Sequence, residues 1–190
     1  MVVILLFVVA VIVVIYVIYQ KRFSVDSIDL NFDAKLLKCS YHLERNYENL
    51  EIAHRIYTEL ITRKAAIPIE PENDVIKEIY DSWYALFKST REEIKKLSGK
   101  SLRTEHCGNL VSMSVDILNK GLRPHLTTHQ AKFRKWYSEE LEKAENKGKS
   151  PQEIQKKYPE YNELIESMKK VNELLIEYAE NLKSFLDTSK

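Results

Sequence analysis

The sequence predicts an all-α protein, built as a single N-terminal transmembrane helix followed by an elongated antiparallel bundle of four or five helices. Three observations carry this reading. Residues Met1 to Tyr19 are uncharged and almost wholly apolar. Long stretches downstream repeat apolar residues at steps of three and four, the period of one helix face. Only 4 Gly and 5 Pro punctuate a chain in which 30% of residues are charged, a composition that favours long helices over many short strands. The chain then divides into an anchor (1–22), an extended juxtamembrane linker (23–33) and a cytoplasmic helical bundle (34–190), the last of a size suited to one core.

The expected anchor spans about 28 Å at 1.5 Å per residue, close to the hydrocarbon thickness of a bilayer. A cleavable signal would need basic residues before the apolar run and small residues after it, whereas Met-Val-Val opens this one and Tyr19-Gln-Lys-Arg follows it. Lys21, Arg22, Lys35 and Lys38 come after the span, so the positive-inside rule predicts a single-pass inner or plasma membrane protein. Its N-terminus would face outward and its C-terminal domain the cytoplasm. Tyr16 and Tyr19 would sit at the interface. The run has neither a small-residue seam nor a polar face, which suits a plain anchor and not a pore.

After the span, Ile28, Leu30 and Phe32 alternate with Asp29, Asn31 and Asp33 as a strand would, but with no evident partner in the chain they are expected to form an extended linker. Leu36, Ser40, Leu43, Tyr47, Leu50, His54, Tyr57 and Ile61 advance by fours and threes, predicting one helix over 34–64. Two prolines within 65–71 end it. A second helix is predicted over 72–97 with Ile76, Ile79, Trp83, Leu86 and Phe87 inward, and Ser98-Gly99-Lys100 then turns the chain antiparallel. The third carries Leu102, His106, Leu110, Met113 and Ile117 on one face and meets a stop signal at Gly121 and Pro124. Thr127 and Gln130 have capping-box spacing, so a new helix is expected from there to 147, with one kinked helix as the alternative. Ser150-Pro-Gln-Glu153 is a second capping box opening a short helix. The last helix, 160–187, has the cleanest pattern: Tyr161, Leu164, Met168, Val171, Leu175, Tyr178, Leu182 and Phe185, a coiled-coil-like seam.

No catalytic motif, nucleotide loop or complete metal-ligand set is present, so no catalytic residue, metal site or cofactor is predicted. Cys39 and Cys107 lack the density of a disulfide scaffold and the spacing of a zinc site. Glu51 and His54 form a single Glu-x-x-His, whereas di-metal bundles use two. His54 reads better as a core hydrogen-bonding residue. His125 and His129 have the four-residue spacing that lets two imidazoles grip one metal, yet two ligands do not close a site, and the plainer reading is solvent-facing or capping histidines. Cys107 and His106 are adjacent on a helix and point in different directions, which excludes a thiol–imidazole pair.

The most informative stretch runs from Lys120 to Tyr137. It holds Lys120, Arg123, Lys132, Arg134 and Lys135, the two histidines His125 and His129, the aromatics Phe133, Trp136 and Tyr137, and no acidic residue. Such a mixture can hold phosphates or carboxylates through its cations while aromatics stack on a ligand or anchor a partner. The competing reading is an amphipathic bundle helix with Phe133, Tyr137, Leu141 and Ala144 inward and the charges solvated. With 29 Lys+Arg against 28 Asp+Glu, net +1, the whole chain is no nucleic-acid binder by charge, so any such role must be local. The expected function is a non-enzymatic, membrane-anchored interaction or scaffold module that meets a protein partner or its own copy. The alternative is a tethered sensor of nucleic acid, anionic lipid or another anionic ligand, centred on Lys120, Arg123, His125, His129, Lys132, Arg134, Lys135 and Trp136.

Overall fold

A computed structural model of the protein describes residues 11–14, 27–97 and 105–187, without the side chains of 105–109. It is mostly helical but not all-α, which corrects the expected fold class. An antiparallel hairpin, β1 (Ser27–Ala34) and β2 (Leu37–Glu44), precedes the helices. These are α1 (Tyr47–Thr62), α2 (Ile76–Ile94), a long α3 (105–142), a short α4 (Pro151–Gln155) and α5 (Tyr161–Leu186).

The membrane reading is also corrected. Among the described residues no helix is long and apolar enough to cross a bilayer. The longest helices carry charges along their lengths, as at Lys169, Lys170, Glu173, Glu177 and Glu180 of α5, which suits a helix packed on one side. Of the expected span only 11–14, a helical segment, is described; 1–10 and 15–19 lie outside the described residues, as do 20–26 of the flank and linker. The single-pass placement, outward N-terminus and cytoplasmic domain drawn from that span are therefore set aside.

The hairpin replaces two sequence expectations, the unpaired linker and the first turns of a helix over 34–64. Ile28 pairs with Leu43, Leu30 with Tyr41 and Phe32 with Cys39. This register puts Leu30, Phe32, Tyr41 and Leu43 on the buried face, with Phe32 edge-on to Tyr41 at 5.9 Å and against Tyr178 of α5 at 6.2 Å. In β2 the alternation of Leu37, Cys39, Tyr41 and Leu43 outweighs the helical spacing of Leu36, Ser40 and Leu43. The outer edge of β1 is covered by α5: Asp33 N–H donates to Glu177 Oε1 at 2.7 Å, and Asn181 Nδ2 donates to the Asn31 carbonyl at 3.0 Å. Asn46 caps α1 by accepting from Asn49 N–H at 2.8 Å.

On α1 the structure selects a different face from the one expected. Ile52, Ala53, Ile56 and Leu60 are buried, whereas Tyr47 is 95% exposed and His54 and Ile61 are exposed too. Both stripes keep helical spacing. The mostly aliphatic one enters the core, led by buried Asn49, whose amide donates to the Glu44 carbonyl at 2.9 Å, whereas Tyr and His would bring in polar atoms needing partners of their own. His54 is accordingly a surface residue, not a core one.

α3 runs without a break through Gly121 and Pro124, so neither the helix stop there nor a cap at Thr127 is realised. It contains regular helix at Glu105–Asp116, Arg123–His125 and Ala131–Glu142, separated by wider π-helical turns at Ile117–Leu122 and Leu126–Gln130. The burial pattern explains the widening: Met113, Ile117, Gly121, His125, His129, Phe133 and Tyr137 are all buried, every fourth residue. In a regular helix a four-residue step drifts about 40°, so this stripe would wander roughly 240° around the axis and leave the core. Turns closed by longer bonds, such as Arg123 N–H to the Leu118 carbonyl, absorb the drift. They also make room for Pro124, which has no N–H to give, and the Thr128 hydroxyl donates to the Pro124 carbonyl at 2.9 Å. At the far end the helix stops at Glu142, so Leu141 and Ala144 are exposed and not part of the inward stripe.

Two buried amides tie the connections down. Asn172 of α5, 4% exposed, accepts from Ile69 N–H at 3.1 Å and donates to the carbonyls of Ala65, at 2.6 Å, and Ile67, at 3.0 Å. Gln155 of α4 accepts from Ile76 N–H at 2.9 Å and donates to the Asp74 carbonyl at 2.8 Å, so it caps α2, whose own Val75 has no side chain able to do so. The capping box at Ser150 and Glu153 is present as the sequence indicates, and Gly148 takes a positive φ of 85° just before it.

At Gly121 α3 packs closely against α5. A Cβ there would overlap the Leu174 side chain, itself fully buried. Gly121→Ala is expected to lower stability by about 1–3 kcal/mol through overpacking, measured by urea unfolding. In a Leu174→Ala background the same change is expected to cost much less, because the space it needs is then free. Asn172→Leu removes the partner of three backbone groups, two of them in buried hydrogen bonds, and is expected to cost at least about 2 kcal/mol in the same assay.

Candidate functional site

The residues of 120–137 do not form one surface; the helix distributes them over three sides of the molecule. His125 and His129 enter the core, 4% and 5% exposed, with ring centroids 5.0 Å apart. This corrects the reading of them as solvent-facing or capping residues, and it follows from the four-residue stripe. His125 Nδ1 lies 2.7 Å from the Ser167 hydroxyl of α5 and Nε2 lies 3.1 Å from the Tyr80 hydroxyl of α2, so one imidazole links three helices. The Trp83 and Tyr80 rings enclose it, with centroids at 5.5 and 5.7 Å. His129 Nδ1 is buried without a hydrogen-bond partner among the described residues.

A Ser–His–Tyr chain invites comparison with a nucleophile and its base, but the environment opposes that chemistry. Burial, with the neighbouring His129 adding to it, pushes the His125 pKa down to about 3. An imidazole held neutral this strongly is a weak proton acceptor at neutral pH. Among the described residues no three His, Cys, Asp or Glu side chains converge, here or elsewhere. The arrangement serves as a polar tie between helices.

The cations separate into paired and unpaired groups. Lys120 pairs with Asp116 at 2.9 Å, and Arg134 reaches across to Asp81 of α2 at 2.5 Å. Lys132 and Lys135 are exposed, with Glu139 at 4.0 Å from Lys135. Trp136 is half-buried against Tyr158, 5.0 Å between centroids, and Phe133, so it closes the end of the core near α4.

Arg123 is different. Its Nε donates to Asn119 at 2.9 Å, its guanidinium lies 5.1 Å over the Phe87 ring, and among the described residues it pairs with no carboxylate. It stands in the wall of a groove between α2 and α3. One hollow of about 350 Å³ is lined by Tyr84, Phe87, Arg91, Arg123, Leu126, Thr127 and Gln130. A second, of about 240 Å³, shares Phe87, Arg91 and Arg123 and extends along Ile94, Val115, Leu118 and Asn119 to Lys95. Arg91 likewise has no carboxylate within ion-pair distance among the described residues. Among the described residues no acidic side chain lines either hollow, and Tyr84 is 60% exposed.

The sequence alone places Arg123 but misses the α2 half of this site. Tyr84 and Arg91 carry no local motif, and Phe87 looks like an ordinary core residue. The available signal was a stripe at three- and four-residue steps, Tyr84, Phe87, Arg91 and Ile94, lying beside the Trp83 and Leu86 core face. No family model matches the chain, and no curated protein or solved structure matches it at a significant level.

The sign of the pH effect at His125 is fixed by its burial. Below about pH 6.5 the unfolded chain takes up a proton on this ring that the folded protein refuses until about pH 3. The stability contributed by the neutral ring is fully present above 6.5 and is lost as the pH falls towards 3. His125→Gln keeps an amide in place but removes the titration. It is expected to lose less stability than the wild type on acidification across that window, measured by urea unfolding at a series of pH values; equal losses would contradict the assignment.

Proposed function

We propose that the protein is a non-enzymatic helical interaction module that receives a partner in the groove between α2 and α3. One observation carries the reading: two guanidiniums, Arg91 and Arg123, line a largely apolar groove, and among the described residues neither has a carboxylate within ion-pair distance. A structural cation usually finds a partner, as Arg134 and Lys120 do here. Cations left unpaired beside Phe87, Leu126 and Tyr84 combine the aromatic and Arg anchors typical of binding hot spots. The groove wall also contains both π-helical stretches, and such turns recur at functional sites.

The nucleic-acid reading of 120–137 has less support. Its cations do not share a face, and two of the five are engaged by Asp116 and Asp81. The electrostatic footprint of a phosphate backbone is thereby reduced to Arg123, Lys132 and Lys135.

A photo-crosslinking residue placed at Tyr84 in cells is expected to give a discrete adduct, and the same residue at Glu180, exposed on α5, is expected not to. In an Arg91→Glu/Arg123→Glu background the Tyr84 adduct is expected to fall about tenfold or more. Identical adducts from both positions, or a Tyr84 adduct insensitive to the charge reversal, would remove the proposal.

A further inference from the structure

We infer that the α2–α3 groove takes an acidic amphipathic helix, a segment of another protein with apolar side chains on one face and carboxylates flanking them. The inference rests on the interaction-module reading above and specifies its partner. Three features of the groove lead to it.

Its walls are two helix faces, each with the periodicity of a packing surface. Tyr84, Phe87, Arg91 and Ile94 follow one another at three- and four-residue steps on α2, and Leu118, Leu126 and Gln130 run beside them on α3. From Tyr84 to Lys95 the α2 wall is about 16 Å long, three turns of helix. A third helix laid along it would place i, i+3 or i+4, and i+7 side chains against exposed Tyr84 and half-buried Ile94 and Leu126, as in helix-in-groove recognition.

The charge is one-sided in a way that matches carboxylates. A guanidinium presents a planar fork that a carboxylate meets with two parallel hydrogen bonds. Arg123 is pre-oriented for this by Asn119 on one side and the Phe87 ring beneath it, so little side-chain freedom remains to be lost on binding. Thr127 and Gln130 provide further polar contacts at one end.

The surroundings disfavour a nucleic-acid strand. The Phe87 face is already taken by Arg123, leaving Tyr84 as the exposed aromatic for stacking. Glu92 lies beside Lys95 and Asp116 beside Lys120, so a continuous polyanion along the groove would meet carboxylates at its margins. A carboxylate-bearing helix with a few charges can avoid them.

The test is fluorescence anisotropy with the full chain and a labelled peptide of ~20 residues, long enough to hold a helix, with Leu at heptad-like spacing and Glu flanking. Binding is expected, at least about tenfold weaker for a scrambled peptide of the same composition and for Arg91→Glu/Arg123→Glu, and unchanged for Lys132→Ala/Lys135→Ala. A peptide with Lys in place of Glu is expected to bind the charge-reversed protein and not the wild type, a gain that misfolding cannot mimic. Equal binding of the scrambled peptide, no effect of the charge reversal, or tighter binding of an oligothymidine strand that displaces the peptide would each overturn the inference. If Tyr84 crosslinks a partner in cells and the acidic peptide still fails to bind, the partner's chemistry is wrong and the groove reading stands. If both fail, the groove reading falls with it.

Discussion

The fold depends on the breadth of the buried side of α5. A narrow seam hides one residue per turn, but α5 buries Leu164, Ile165, Met168, Val171, Leu174, Leu175, Tyr178, Ala179, Leu182 and Phe185, which together cover about half of its circumference. That much apolar surface cannot be covered by one neighbour. The hairpin, α1 and α3 each take a share, and the hairpin, α1 and α3 are arranged around it. Three of the polar side chains admitted to this core are held by specific partners: Asn172 by three backbone groups, Tyr178 by the Ser114 hydroxyl at 3.0 Å and His125 by Ser167.

What the sequence made legible follows from how ambiguous each pattern is. The seam of α5 is long enough that only a helix satisfies it, and the Ser150 capping box is a local contact that needs no tertiary information. The hairpin offered neither advantage. Its two-residue connection, Lys35-Leu36, has no glycine and no residue with positive φ, so the usual hairpin dipeptide is missing. Its second strand reads equally well at period two and at steps of three and four. On α1 two stripes compete, and what separates them is the cost of burying a phenol or an imidazole, a comparison that requires knowing what lies opposite. The cap on α2 comes from Gln155, far along the chain, and no inspection of the residues around Val75 could have found it.

The same distinction governs the candidate site. The run from Lys120 to Tyr137 stood out because its residue types are unusual, and it does contain Arg123. Its unity along the chain is nonetheless not a unity in space, since a helix sends neighbouring residues to different sides. Lys120 and Arg134 go to carboxylates, the histidines go inward, and Arg123 joins residues of α2 that no local signal marks. Composition located one wall of the groove, and the packing of two helices supplied the other.

The wider turns of α3 bear on how this chain can vary over evolutionary time. Because two stretches adjust the phase of everything after them, the number of residues between Met113 and Phe133 matters more than the identity of most of them. Substitutions at Asn119 or Thr128 alter local bonds, but adding or removing one residue would turn Phe133 and Tyr137 by about 100° and swing the buried stripe of the helix's second half out of the core. The stretch behaves as a length gauge, and deletions there would be selected against even where every side chain involved faces water.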